Sequence, residues 1–165
     1  MPNPGFSKLD VLVIDPSQHM TALIASMLRH LKVRAVAEAQ DTDTALVLLQ
    51  NRRFGAIMVN DELTPMNGIE LTRELRKSPD GPNRNTPVIM MSTAPDATEI
   101  AAVRDAGISE FLRKPFAAAH VETRLVSILT VPRDFIATEA YVGPDRRRKR
   151  LTPKSAERRN IKPQA

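Results

Sequence analysis

Five short runs of apolar, largely β-branched residues recur along the chain, at 9–15, 33–38, 56–60, 87–92 and 109–113. Each is followed within a few residues by a helical stretch, with apolar positions three and four apart in the first and the weaker spacing i, i+2 and i+6 in the third. In 17–32 the apolar positions are Met20, Leu23, Ile24, Met27, Leu28 and Leu31, the buried stripe of a helix that Pro16 and Ser17 open. Asp41 caps the next helix, which Asn51, Arg52 and Arg53 close. Further helices are expected over 69–76, 96–106 and 118–130, the fourth stopped by Gly107, with a loop of breakers at 78–85. Strands alternating with helices through short connections predict right-handed crossovers and a five-stranded parallel sheet covered on both faces, a doubly wound α/β domain.

Ligands of such sheets lie beyond the carboxyl ends of the strands. The residues expected there are Asp15, Asn60 with Asp61, Ser92 and Lys114. Taken singly, each reads most simply as a helix cap or turn residue. Together they could hold a phosphoryl group: Lys114 neutralising one oxygen, Ser92 bonding another, Asp15 helping to hold a divalent cation through water.

Four segments, Val13-Ile14-Asp15, Pro65-Met66-Asn67-Gly68, Met91-Ser92-Thr93-Ala94 and Phe111-Leu112-Arg113-Lys114-Pro115-Phe116, give residues 9–130 a resemblance to the receiver domain of two-component response regulators. The resemblance implies a flavodoxin-like (βα)5 fold with strand order 2-1-3-4-5, a pocket of acids and Mg²⁺ around a phosphorylated aspartate, and a cis bond before Pro115. It also implies partner binding through the face formed by the fourth helix, last strand and last helix, with Phe111 as the aromatic that changes rotamer and Ser92 as the hydroxyl that follows the phosphoryl group.

The pocket departs from that pattern twice. Pro16 stands where the second acid of a metal-binding pair belongs, leaving Asp15 as a remnant metal ligand and making Mg²⁺ doubtful. The acceptor aspartate should lie eight residues before the turn glycine, and counting back from Gly68 reaches Asn60. An amide cannot be the carboxylate nucleophile of an acyl phosphate. Asp61 is the alternative acceptor, although along an extended strand it is expected to face away from Asn60.

Residues 1–130 hold 14 Lys/Arg against 15 Asp/Glu, and residues 131–165 hold 10 against 4, so the excess positive charge belongs to the last 35 residues. That segment is expected to be a basic tail, disordered when unbound, separate from a receiver-like domain over 1–130. Asp145, Arg146, Arg147 and Arg148 resemble the Arg-rich extensions of receiver-like proteins that bind cyclic di-GMP. Guanidinium can pair with the guanine N7/O6 edge or with phosphate, and a carboxylate accepts from guanine N1 and N2. Nucleic acid is a weaker partner, since Tyr141 is the one aromatic near the basic run.

With no cysteine, the chain excludes disulfides, thiolate nucleophiles and Cys-based metal centres. His19, His30 and His120 lack metal-ligand spacing, and Met58, Met90 and Met91 read as core. Nothing has the length of a signal peptide or membrane span. The expectation is a cytoplasmic signalling adaptor, not an enzyme and needing no cofactor, that lacks the phosphoacceptor and works through a protein partner, with a tail for cyclic di-GMP. The alternative is a response regulator phosphorylated on Asp61.

Overall fold

The computed structural model describes residues 5–93, 96–138 and 140–146. In chain order it contains β1 (Asp10–Ile14), α1 (Gln18–His30), β2 (Ala35–Ala39), α2 (Thr42–Asn51), β3 (Ala56–Asn60), α3 (Gly68–Lys77), β4 (Val88–Ser92), α4 (Ala97–Asp105), β5 (Glu110–Arg113) and α5 (Ala118–Thr130), followed by β6 (Phe135–Ala137) and β7 (Val142–Pro144). The first five strands are parallel, in the order β2-β1-β3-β4-β5. The expected receiver fold and strand order are therefore observed.

Alternation along the strands divides the core into two layers. Leu12, Ile14, Ile57, Val59 and Met90 face one side, against Leu49 of α2, Leu71 and Leu75 of α3 and Val103 of α4. Val11, Val13, Met58, Ile89, Met91 and Leu112 face the other, against Ile24 and Leu28 of α1 and Val121 and Leu125 of α5. β3 and β4 are buried along their whole length, which is why they read as continuous apolar runs.

Helix starts follow local chemistry. Ser17 accepts from the Met20 amide at 3.1 Å and Asp41 from Thr44 at 2.7 Å. Before α3 a reciprocal capping box forms: the Asn67 side chain accepts from the Glu70 amide and the Glu70 carboxylate from the Asn67 amide. His120 accepts from the Ala117 amide at 2.9 Å, the capping role expected of a surface histidine.

The last segment corrects the charge-based expectation. Residues 131–146 are not a separate loose tail; β6 and β7 form an antiparallel hairpin packed on the domain, while 147–165 lie outside the described residues. The reason is the handful of apolar side chains that the charge count passes over. Tyr141 is 8% exposed, and its hydroxyl donates to the Pro144 carbonyl at 2.7 Å. The Arg146 guanidinium stacks 4.3 Å from its ring. Thr138 closes the turn, donating its amide to the Tyr141 carbonyl and accepting from the Tyr141 amide.

The hairpin rests on Arg76, which is 2% exposed. Its Nε and Nη2 both donate to the Gly107 carbonyl, and Nη1 donates to Arg84 and Thr86 carbonyls at 2.6 and 2.8 Å. The guanidinium groups of Arg76 and Arg84 both lie over the Phe135 ring, at 5.5 and 5.8 Å from its centre. Arg76 thus joins the end of α3, the 81–86 loop, the turn before β5 and the hairpin. Gly107, at φ +96°, passes so close to the Arg76 side chain and the Val142 carbonyl that a side chain would not fit.

Removing the hairpin, in a chain ending at Thr130, is expected to lower stability by about 2–4 kcal/mol, from lost burial of Tyr141 and Phe135 and the uncovering of Arg76. Urea denaturation measures this, and an unchanged midpoint would refute the packing role. The hairpin also carries its own reporter. Burial pushes the Tyr141 phenol above its ordinary value of 10.0, with Arg146, Arg76 and Arg133 pulling the other way. The folded state therefore holds this proton more tightly than the unfolded chain, and the stability this group contributes below pH 10 is lost as pH rises through the folded value. Because this is the single tyrosine and there is no tryptophan, ultraviolet titration reads it directly; ionisation is expected above pH 10.0.

Candidate functional site

The carboxyl ends of β1, β3, β4 and β5 deliver Asp15, Asn60 with Asp61, Ser92 and Lys114 to the same end of the sheet. Backbone bonds hold each one there. The Asp15 amide donates to the Ala39 carbonyl, the Asp61 amide to Met91, and the Lys114 amide to Ser92 at 2.7 Å. The Lys114–Pro115 bond is cis, as the resemblance implies.

Asp15 is 2% exposed and fully committed. One carboxylate oxygen accepts from Lys114 Nζ at 3.0 Å and the other from the Ser17 amide at 2.9 Å. An ion pair in such surroundings has little water to compete with it, so each group neutralises its partner's burial cost. Lys114 is held on a carboxylate, and Pro16 offers no second acid.

Asn60, buried at 6% exposure, turns its amide nitrogen to the Glu62 carbonyl at 3.0 Å. Asp61 meets Ser92, the residue after Met91, which is the ladder partner of Asn60, so its contact lies on the side that strand alternation predicts. Its carboxylate accepts from the Ser92 hydroxyl at 2.8 Å and, through its other oxygen, from the Glu62 amide at 2.9 Å. The strand stops at Asn60 and the chain bends at the next residue. The turn closes when the Gly68 amide donates to the Asp61 carbonyl. Any Cβ at position 68 would collide with the Asn60 carbonyl, which fixes the spacing of eight residues in steric terms.

The crevice thus contains two polar couples, Asp15 with Lys114 and Asp61 with Ser92. These donors do not suit Mg²⁺, which wants several oxygen ligands in octahedral array. Both oxygens of Asp15 are occupied, and among the described residues no three carboxylate or imidazole side chains gather as a metal site.

Phe111 is half-buried against the layer that holds Val103 and Ile108, and its carbonyl accepts from Arg124 Nε at 2.8 Å. In the hairpin, the Asp145 amide donates to the Asp134 carbonyl, and Arg146 pairs with Asp105 at the end of α4 at 2.6 Å. Arg147 and Arg148 lie outside the described residues. Sequence reasoning missed Arg76, yet its signal was present: Gly68, Thr72 and Arg76 are four apart, on one arc of α3 with Leu71 and Leu75.

A family model described as the response regulator receiver domain matches residues 11–126. Among curated proteins, the chain is similar to the chemotaxis protein CheY of Pseudomonas aeruginosa, 28% identical over 120 residues that cover 73% of this chain and 95% of that protein. Among solved structures, it is similar to the chemotaxis response regulator CheY4 of Vibrio cholerae, with TM-score 0.67 and 24% identity over 73% of this chain and 98% of that one. It is likewise similar to the receiver domain of the Francisella response regulator 1452, with TM-score 0.64 and 28% identity over 73% and 95%. The β6–β7 hairpin falls after the last residue that the family model matches.

Replacing Lys114 with methionine leaves the Asp15 carboxylate buried without a counter-charge, an expected loss of about 3 kcal/mol. The double variant Asp15→Asn with Lys114→Met should recover most of it. Urea midpoints of the two, compared with the unsubstituted chain, test this; equal losses would show that the pair carries no coupling.

Proposed function

The chain belongs to the response regulator receiver domain family, and we propose that within it this protein is a signalling adaptor that is not switched by aspartyl phosphorylation. The observation that carries the reading is Asn60 at the acceptor position, its amide spent on the Glu62 carbonyl. An acyl phosphate needs a carboxylate nucleophile, and the amide has none to offer. The groups that would stabilise a phosphoryl oxygen are engaged elsewhere, Lys114 by Asp15 and Ser92 by Asp61. This reading gives the protein no catalytic step and no need of Mg²⁺.

Output then rests on surfaces. The face made by α4, β5 and α5 presents Ile100, 52% exposed, beside a groove that includes Val103, Ile108 and Phe111, bordered by Arg104, Arg133 and Arg146. Glu110 also lines the groove and pairs with Arg133, and an apolar floor with such a mixed charged rim suits a protein partner, so we assign partner binding here. We assign cyclic di-GMP to Asp145, Arg146, Arg147 and Arg148, where a carboxylate and guanidinium groups adjoin in sequence. A cytoplasmic setting fits both roles, and no described helix is long and apolar enough to cross a membrane. Duplex nucleic acid is the weaker partner for the basic run.

One observation favours a second reading, a regulator phosphorylated on Asp61: that carboxylate reaches into the crevice and meets the Ser92 hydroxyl.

Incubation with a small phosphodonor and Mg²⁺, followed by intact-mass measurement, is expected to leave the mass unchanged. A phosphoryl adduct that disappears in Asp61→Ala would replace the adaptor reading with the second. Calorimetric titration with cyclic di-GMP should give binding heat in the full chain and none in Arg147→Gln with Arg148→Gln; equal heats, or none in either, would discard the tail assignment.

A further inference from the structure

A pocket of about 310 Å³ opens between the end of α3 and the hairpin, and none of the crevice residues lines it. Arg73, Arg76, Lys77, Asp105 and Tyr141 are among its walls. Arg73 and Lys77 are exposed and one helical turn apart, so both reach the same opening. Tyr141 offers its ring alone, since its hydroxyl is bound to the Pro144 carbonyl. The one carboxylate among these residues, Asp105, is taken by Arg146 at 2.6 Å.

Arg76 sets this place apart from an ordinary solvated helix end. A cation in the last turn of a helix favours its negative pole, which accounts for Lys77 as a surface residue, and Arg73 lies one turn earlier on the same exposed face. The pole does not account for a guanidinium at 2% exposure that no described carboxylate approaches within 4.0 Å. The carbonyls of Arg84, Thr86 and Gly107 solvate it, but dipoles carry no net charge to cancel it. Burial accordingly draws the Arg76 guanidinium down to about 10. The pocket wall therefore has three cations and no uncommitted carboxylate among the described residues, an excess that a multiply charged oxyanion would match.

We propose that this pocket binds a small phosphate-bearing anion, with Arg73 and Lys77 as its charge-assisted donors and Arg76 as a fixed positive charge behind them. The site goes beyond the adaptor reading and does not depend on the Arg147–Arg148 tail.

Inorganic pyrophosphate is the probe, titrated calorimetrically into the full chain at low ionic strength. One-to-one binding is expected, weakened by at least about tenfold in Arg73→Gln with Lys77→Gln, because each charge-assisted bond contributes a factor of that order. Both side chains are exposed, so without ligand this variant should stay folded, its thermal midpoint lowered by a few degrees at most through the loss of Lys77 at the helix end. The control Arg147→Gln with Arg148→Gln should bind as the unsubstituted chain does. No heat with the unsubstituted chain, equal affinity in the Arg73/Lys77 variant, or loss of binding in the tail control would each overturn the proposal.

Discussion

The ion pair between Lys114 and Asp15 is the interaction on which the crevice depends. It links the ends of β1 and β5, strands that are not neighbours in the sheet, across 99 positions of sequence. A carboxylate at 2% exposure would be costly alone, and the lysine makes its burial tolerable. In turn the carboxylate fixes the position of the lysine ammonium. The other couple repeats the theme on the inner strands, where Asp61 occupies Ser92. Two mutually satisfied couples make a polar site that is complete without a ligand, and that property follows from Pro16 and Asn60 standing where acids would create repulsion.

Most of the fold was legible because its determinants are local. Continuous apolar runs marked β3 and β4, helical spacing marked α1, and Ser17, Asp41 and the Pro65-to-Gly68 turn placed the helix starts that the capping bonds bear out. The strand ends, and hence the membership of the crevice, followed from the same pattern. What the pattern could not supply was which side chains pair across the crevice. Asp61 with Ser92 and Asp15 with Lys114 are couples between strands, set by the sheet register, and no local spacing encodes them.

The hairpin was illegible for another reason. Composition averages a segment, and ten cations in 35 residues outweigh Phe135, Ile136, Tyr141 and Val142 in any such average. Burial is decided by a few side chains meeting a complementary surface, here the guanidinium groups of Arg76 and Arg84. The 78–85 loop is similar. It reads as a string of breakers, yet Asn83 is fully buried, accepting from the Phe54 amide and donating to Leu49 and Arg52 carbonyls. Long-range hydrogen bonds of this kind leave no periodic trace in sequence.

The contact between Gly68 and the Asn60 carbonyl has a consequence of its own. It is made entirely by backbone on the Asn60 side, so the path of the loop is indifferent to which side chain position 60 carries. Chemistry and geometry are uncoupled at that point: an exchange of one atom, oxygen for nitrogen, can silence the acceptor while every neighbouring main-chain atom stays where the fold requires it. A scaffold with that property keeps the same loop path whichever of the two side chains stands at position 60.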